Sequence, residues 1–430
     1  MNIIMNKNVF DVTIIGGGSS GLHAARKLSA EGLNVLVLEK KKNIGKHIIC
    51  TGIVGVQAFE EFELSKDSIM TEIRDIKMFS PQQKFVTFKH RGPLAYVVNR
   101  EMFNKYLELR ALGSGACINE GFHVTDIVRE NDHLIVDAFD AEKGNARFYA
   151  RMIILATGVE VNLNKSLALG QPKHYLHGVQ AELPMKNIDT TLVYVGNDIA
   201  PGAFAWVVPL HNIIADPFKK GESDFKDTIV LARVGLMTDN NPRDAFKKFL
   251  ERLISENKLI NREGAKYITG KDSKQDELFI DNFIAQNKVQ CKAIAQGLVS
   301  KTYADRAIAV GEAAGQVKTT TGGGIYFGLI CADIAAKVIT EAFKNNDLSA
   351  KALSHYEKLW KKALRKEIQI GYYARKISGK FSDSQIEKIF HIAQTDGIMP
   401  LVDEKANFDW HSSLIVSLIR KSTMHKFFHS

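Results

Sequence analysis

Cysteine is scarce in this chain. Only Cys50, Cys117, Cys291 and Cys331 occur in 430 residues, and no two share a Cys-x-x-Cys spacing. So scattered a set suggests neither a zinc site nor a disulfide scaffold. No run approaches the roughly 20 apolar residues that a membrane span needs. The opening "MNIIMNKNVFDV" lacks a signal peptide's long apolar stretch and small-residue cleavage site. Together these absences point to a reducing, cytoplasmic setting, with peripheral contact at the inner face of a membrane left open. Internal repeats and low-complexity segments are also missing. His174 and His177 are spaced to share a helical face, but no third ligand accompanies them, so no metal is expected. Acidic residues are in deficit, 48 against 57 basic ones, for a formal charge of +9. That excess suits nucleic acid, anionic lipid or a phosphorylated ligand alike and does not choose between them.

What is present is an ordinary globular composition, 45% apolar and 24% charged, long enough for two or three intimately packed domains. "VFDVTIIGGGSSGLHAARKLSAEGLNVLVLEK" reads as strand, glycine turn, helix and strand, one right-handed βαβ unit. Gly16, Gly18 and Gly21 form G-x-G-x-x-G between the strand Val9 to Ile15 and the helix Leu22 to Ala30. Glu39 ends the next strand, as a dinucleotide fold requires. Gly16 permits the tight turn, Gly18 lets a pyrophosphate approach the backbone, and Gly21 lets helix and strand pack closely. Glu39 is placed to accept hydrogen bonds from ribose hydroxyls. Ser19, Ser20 and Lys40 belong to the same expected cradle.

Farther on, Phe79 to Val97 is β-like and a helix follows from Asn99. The pieces His123 to Arg129, His133 to Phe139 and Arg147 to Leu155 read as a meander. Leu176 to about Val234 is strand-like, Asp244 to Glu256 helical, Asp305 to Val310 a strand, and Ile325 to Phe343 a long helix. The remainder is helical and basic. "TTTGGGIYFGL" places Gly322, Gly323 and Gly324 immediately before that long helix. Glycine is a poor helix former, so its use there implies a close approach of backbone to something else.

Four pieces in this order resemble FAD-dependent oxidoreductases: the opening βαβ unit, "VVNREMFNKYLELRA", "MIILATG" and "AIAVGEAAGQVKTTTGGGIYFGL". The resemblance implies FAD, with Arg100 on the flavin cofactor, Ala156 and Gly158 at a strand end, and Gly311 and Glu312 at the ribityl chain and pyrophosphate. The family usually has Asp where Glu312 stands, so the carboxylate is shifted outward by a methylene. Gly322 to Gly324 would bring a helix N-terminus against the isoalloxazine, where bare N–H groups stabilise negative charge and a Cβ would strike the ring.

"GKHIICTGIVG" and "PGAFAWVVP" narrow the resemblance to the geranylgeranyl reductase family, over nearly the whole chain and weakest over Asp224 to Ile294. It implies reduction of isolated C=C bonds of a prenyl lipid or prenyl diphosphate, with Cys50 and Gly52 near the flavin and Phe204 and Trp206 lining the substrate cavity. Phe204 replaces the commoner Tyr, and Val208 a common Phe. A buried thiol in apolar surroundings stays protonated, which suits Cys50 as a proton donor. Packing as a small hydrophobe is its other reading, as core packing is for Phe204 and Trp206. Cys117, Cys291 and Cys331 are assigned to packing.

The implied fold is α/β: a Rossmann-like FAD-binding domain interleaved with an antiparallel substrate domain, as in p-hydroxybenzoate hydroxylase, plus C-terminal helices. The expected FAD-binding domain comprises 1–78, 95–165 and 290–345. The substrate domain takes 79–94 and 166–289, and the helical region 346–430. Only one G-x-G-x-x-G is present, so electrons are expected from transiently bound NAD(P)H or a ferredoxin-like protein, with no nucleic-acid partner. The C-terminal "DWHSSLIVSLIRKSTMHKFFHS" reads equally as a membrane-surface helix, with Arg420, Lys421 and Lys426 on its basic side, or as a helix packed on the body.

Three alternatives stand beside this one. Halogenases and hydroxylases share the scaffold, but halogenases carry Trp where Phe204 stands, and hydroxylases have no need of the Cys-Thr-Gly. A quinone-linked dehydrogenase often carries an iron–sulfur cluster, for which these cysteines offer no spacing. A non-catalytic flavin-binding protein is the third.

Overall fold

The computed structural model describes residues 9–213, 228–259, 280–282, 284, 289–395 and 397–428. The first eight residues of the N-terminal stretch tested for a signal peptide lie outside them. So do the side chains of Lys421 and Lys426, and part of the weakly resembling stretch from Asp224 to Ile294.

Val9–Ile15, Val35–Glu39 and Gly144–Leu155 are parallel strands of an eight-stranded sheet. Toward their carboxyl ends their apolar residues are buried on both faces, as a parallel sheet flanked by other layers demands. Register aligns Ile15 with both Leu38 and Leu155, so three strands end at one level. Ala307–Ala309 joins beside Leu155 and Cys117–Glu120 beside Val35–Glu39. Gly16, Glu39, Ala156 and Gly311 therefore meet at the carboxyl edge of the sheet, the position where open α/β sheets bind ligands. The meander His123–Glu130, His133–Asp140 extends Gly144–Leu155 antiparallel.

Ser19–Ala30 packs Leu22, Ala24, Ala25 and Leu28 onto this sheet and against Ile325–Lys344, whose Gly328, Ala332, Ala335 and Ala336 allow close approach. Arg100–Gly113 begins at Asn99, whose side-chain oxygen accepts from the N–H groups of Glu101 and Met102, an N-cap worth about 1 kcal/mol.

A second sheet has seven strands in the order Gln290–Gln296, His174–Lys186, Ile229–Thr238, Ala205–Ile213, Thr191–Tyr194, Asp75–Phe79, Phe85–Lys89. Period-two alternation sorts its side chains. Val207, Val234 and Leu236 share a core with Phe246, Phe249 and Leu253 of the helix Pro242–Ser255. Trp206 and Val208 belong to a separate cluster and line the central cavity. A three-stranded sheet, Ile53–Gly55, Ala95–Val98 and Ile69–Ile73, lies between. The helices Ala350–Ser378, Asp383–Thr395, Ile398–Lys405 and Ser412–Phe428 complete the chain.

Several expectations are corrected. Asp75–Phe79 and Gln290–Gln296, assigned to the nucleotide-binding unit, are strands of the seven-stranded sheet. Phe79 to Val97 is interrupted by turns, and its strands join two different sheets. His174 and His177 lie on a strand, not a helix, and their odd separation puts them on opposite faces. Of the cysteines assigned to packing only Cys331 is buried; Cys117 and Cys291 sit exposed on edge strands.

Candidate active site

One cavity of about 1220 Å³ runs from the glycine turn to the C-terminal helices. At its polar end the first fingerprint shows why its residues are glycines. Gly16 has φ +111°, and a Cβ there would lie 2.3 Å from the Ala156 carbonyl oxygen. A Cβ on Gly21 would lie 2.1 Å from the Gly16 oxygen. At Gly18 nothing approaches within 4 Å, so that side is open. Glu39 accepts from the Gly17 N–H at 2.7 Å and the Lys41 N–H at 2.9 Å, shaping the turn it was expected to serve. Ser19 and Ser20 begin the helix and line the cavity; Ser20 Oγ lies where a Cβ on Gly311 or Gly328 would go. Lys40 pairs with Glu160 at the rim.

Arg100 is buried and donates to Asn104 Oδ1 at 2.8 Å, but its Nε and Nη1 have no hydrogen-bond partner among the described residues. Burial draws its pKa below the ordinary arginine value, and Cys50 and Glu312 are the groups that counter this. A guanidinium with two orphaned donors against a cavity fits an anionic or multiply accepting ligand.

Glu312 lies in the short turn Gly311–Ala314 and pairs with Lys292 at 2.7 Å. Gly158 and Gly324 both border this carboxylate. Lys292 belongs to the seven-stranded sheet, so the pair ties the two sheets together across the cavity. Two of the three glycines before the long helix lie close to protein atoms. Gly322 has φ +74°, and its Cβ would lie 2.7 Å from Met237 Sδ; a Cβ on Gly323 would lie 2.7 Å from Lys318 Cε. At Gly324 the nearest atoms would lie 3.5 Å or more from a Cβ, ordinary contact distances. Ile325–Lys344 starts at Gly324 without a side-chain cap, and its first turn borders the cavity.

Cys50 is half-buried, and its Sγ accepts from the Gly52 N–H at 3.3 Å. Gly52 has φ +73°, and a Cβ there would lie 2.7 Å from both Arg233 Nη1 and the Val98 oxygen. Arg233 escaped the sequence reading. It is buried, and donates to the carbonyls of Thr51 at 2.7 Å and Val98 at 3.1 Å and to Glu182 at 3.0 Å. Gln180 accepts from the Thr51 hydroxyl at 2.9 Å. The Cys-Thr-Gly segment is thus pinned to the seven-stranded sheet. Phe204 and Trp206 meet edge-on at 5.9 Å along the cavity wall. Gly235 leaves room for the indole, and Trp206 Nε1 is buried without a partner among the described residues.

A further cluster had no local signal. Lys318 and Asp409 form an ion pair at 2.7 Å with side chains only 5% and 3% exposed. Lys318 also donates to the Phe408 carbonyl and lies over the Phe408 ring. Its pKa is pulled down by burial, against the attraction of Asp409. The His411 ring meets Thr320 Oγ1 at 2.5 Å and the Phe408 carbonyl at 2.9 Å. Glu367 accepts from the N–H groups of His411 and Ser412. Phe408, Asp409 and Ile415 line the cavity, so the C-terminal segment forms part of its wall.

Residues 13–197 match the family model described as pyridine nucleotide-disulphide oxidoreductase. Over 391 residues the chain is 30% identical to the digeranylgeranylglycerophospholipid reductase of Methanocaldococcus jannaschii, covering 89% of this chain and 90% of that one. The chain belongs to the digeranylgeranylglycerophospholipid reductase family. A second such reductase, from Methanopyrus kandleri, is 27% identical over 403 residues, covering 91% of this chain and 92% of its own. The chain shares its fold with a solved geranylgeranyl bacteriochlorophyll reductase-like protein from Thermoplasma acidophilum. Its TM-score to this chain is 0.71 at 21% identity, with 96% of each chain covered. A flavin-dependent brominase has TM-score 0.62 at 16% identity, covering 97% of this chain and all of its own. At that identity the halogenase likeness concerns fold alone. The chain is an FAD-dependent oxidoreductase of this family; the orphaned Arg100 donors and the open side of Gly18 fit its cofactor.

Proposed function

We propose that this enzyme reduces isolated C=C bonds in the prenyl chains of a lipid. The observation that carries the reading is the single cavity joining the glycine cradle to an apolar arm, with Cys50 between. That arm is walled by Val193, Phe204, Trp206, Val208, Ile389 and Phe390. An alkene has no polar handle, so an apolar channel that opens beside a thiol is an environment suited to its reduction. Gly16, Gly18, Ser19, Ser20, Gly21, Glu39 and Lys40 would cradle the adenosine and pyrophosphate of FAD. Arg100, Ala156, Gly158, Gly311, Glu312 and Gly322 to Gly324 would hold the flavin half. When bound, reduced FAD supplies the hydride that one alkene carbon accepts.

The chain's own residues do the rest. Phe204 and Trp206 hold the prenyl chain and exclude water. Cys50 delivers a proton to the other alkene carbon, held in place by the Gly52 N–H and by Arg233 through Thr51. The eight-stranded sheet thus serves the cofactor and the seven-stranded sheet the substrate. NAD(P)H or a ferredoxin-like protein brings the electrons. No helix among the described residues is long and apolar enough to cross a membrane. The exposed Ile377, Ile389, Ile392 and Ile419 of the C-terminal helices suit peripheral contact with a lipid surface on the cytoplasmic side.

Anaerobic reduction with dithionite followed by a geranylgeranylated lipid tests the reading. The expected result is flavin reoxidation with product masses rising in two-hydrogen steps, slowed in Cys50→Ala. No reoxidation by several prenyl lipids, with rapid reaction toward oxygen plus an aromatic or toward a quinone, would overturn it.

A further inference from the structure

Lys292 points the wrong way for an edge-strand lysine. Gln290–Gln296 is the outermost strand of the seven-stranded sheet and pairs with His174–Lys186. A lysine on such a strand ordinarily faces water and discourages further pairing. Cys291 does face outward and is exposed. Lys292 instead shares the inner face with Ile294, and both line the main cavity. Its partner in register is Gly178, which carries no side chain to hold the stem. Its ammonium reaches both oxygens of one carboxylate, Glu312 Oε2 at 2.7 Å and Oε1 at 2.9 Å. Among the described residues, neither side chain has another ion pair or hydrogen bond.

The carboxylate stands between two backbone turns at the polar end of the cavity. A Cβ on Gly158 would lie 3.5 Å from its Oε2, and one on Gly324 3.8 Å from its Oε1. Arg100 feels its charge. The charge of Lys292 reaches the cradle too: burial lowers the pKa of Lys41 against the pull of Glu39, and Lys40 and Lys292 add to the fall. Glutamate has one more rotatable bond than aspartate, and so more freedom to lose when its carboxylate is fixed. A carboxylate accepts from hydroxyls, which FAD carries on its ribose and ribityl chain, and repels the pyrophosphate between them. An unpaired Glu312 would be free to swing toward either. One ammonium bonded to both oxygens directs the remaining lone pairs and offsets the charge.

We infer that Lys292 is a positioning residue for the cofactor: it reaches across from the seven-stranded sheet and holds the Glu312 carboxylate in a fixed orientation toward the hydroxyls of bound FAD. Glutamate needs this outside hold where the shorter aspartate would not. The inference rests on the placement of Glu312 at the flavin half given above. It adds that cofactor affinity depends on a residue of the substrate sheet.

Serial dilution of the holoenzyme tests this, with the fluorescence of released flavin giving the Kd for FAD. The proteins compared are the parent, Lys292→Met, Lys292→Arg, Glu312→Asp, Glu312→Gln and the double variant Lys292→Met with Glu312→Asp. Lys292→Met should weaken FAD binding by about tenfold to a hundredfold, the worth of one hydrogen bond to a charged group. Lys292→Arg, whose fork can span both oxygens, should recover most of the loss. In the Glu312→Asp background the same Met replacement should cost no more than about twofold, the scatter of uncoupled sites. That difference between backgrounds is one that a role in tying the sheets together would not produce. An unchanged Kd in Lys292→Met would overturn the inference. Equal losses in both backgrounds would show the ammonium acting on FAD directly and would overturn the role through Glu312. An unchanged Kd in Glu312→Gln would take the carboxylate off the cofactor, overturning the placement of Glu312 and the inference with it. No prenyl lipid enters the measurement, so a failure of the reductase reading leaves each of these results readable.

Discussion

Asp409→Asn removes one partner of a buried ion pair and leaves the other. Lys318 is almost wholly buried, and an uncompensated buried charge costs about 3–5 kcal/mol. The Phe408 carbonyl and ring retain part of the cation's stabilisation, which places the cost near 3 kcal/mol at the lower end of that range. Unfolding entropy of about 2.1 cal/mol/K per residue over 430 residues gives about 0.9 kcal/mol/K, so Tm should fall by about 3 °C. The loss should also show locally, because Asp409 is packed against Gly55 and borders the cavity. Thermal unfolding followed by circular dichroism, with flavin fluorescence as a second probe, measures both. Flavin release should precede global unfolding in the variant. The double replacement Lys318→Met with Asp409→Leu should recover most of the stability, since both charges leave together. A single variant that melts within about 1 °C of the parent, or a double variant no better than the single, would refute the argument.

Two further outcomes are expected. Arg233→Met should lower turnover far more than flavin affinity, because it frees Thr51 and Val98 carbonyls beside Cys50 while leaving the glycine cradle intact; Arg233→Lys should recover only part, since one ammonium cannot fork across both. Steady-state kinetics beside a flavin titration checks this, and equal losses in both would argue for general unfolding. His411 is held neutral, its pKa pushed down to about 4 first by burial and then by Lys318, against the pull of the Phe408 carbonyl and Asp409. The unfolded imidazole protonates near 6.5, so the unfolded state binds more protons between about pH 6.5 and 4. Stability should therefore fall as pH drops through that window, by about 1–3 kcal/mol, and His411→Gln should flatten the slope of Tm against pH.

The polar half of the site was legible because its signals are local. A β-branched strand, three glycines and a carboxylate lie within about thirty residues, and the register that aligns Ile15, Leu38 and Leu155 follows from packing buried parallel strands. Arg233, Lys292, Lys318 and Asp409 were not legible, since each acts on a partner far along the chain. Lys318 and Asp409 are 91 positions apart, and nothing in either neighbourhood announces the other. Cys117 and Cys291 were misread for a related reason. A strand's pattern says which face is apolar, not whether the strand lies at a sheet edge, and both lie on edge strands. The parallel pairing of Asp75–Phe79 with Thr191–Tyr194 crosses more than a hundred residues in the same way, which is why the sheet boundary was drawn in the wrong place.

The Lys318–Asp409 contact also sets an order of assembly. The cradle is made before Phe408, Asp409 and His411, which follow Glu39 by more than 360 residues. Until those residues dock, the cavity lacks a wall beside the loop that precedes the long helix. The step that brings this segment in carries a buried charge, Lys318, that is satisfied only when Asp409 is in place. Docking of that segment therefore completes the cavity wall and neutralises the buried ammonium in one step.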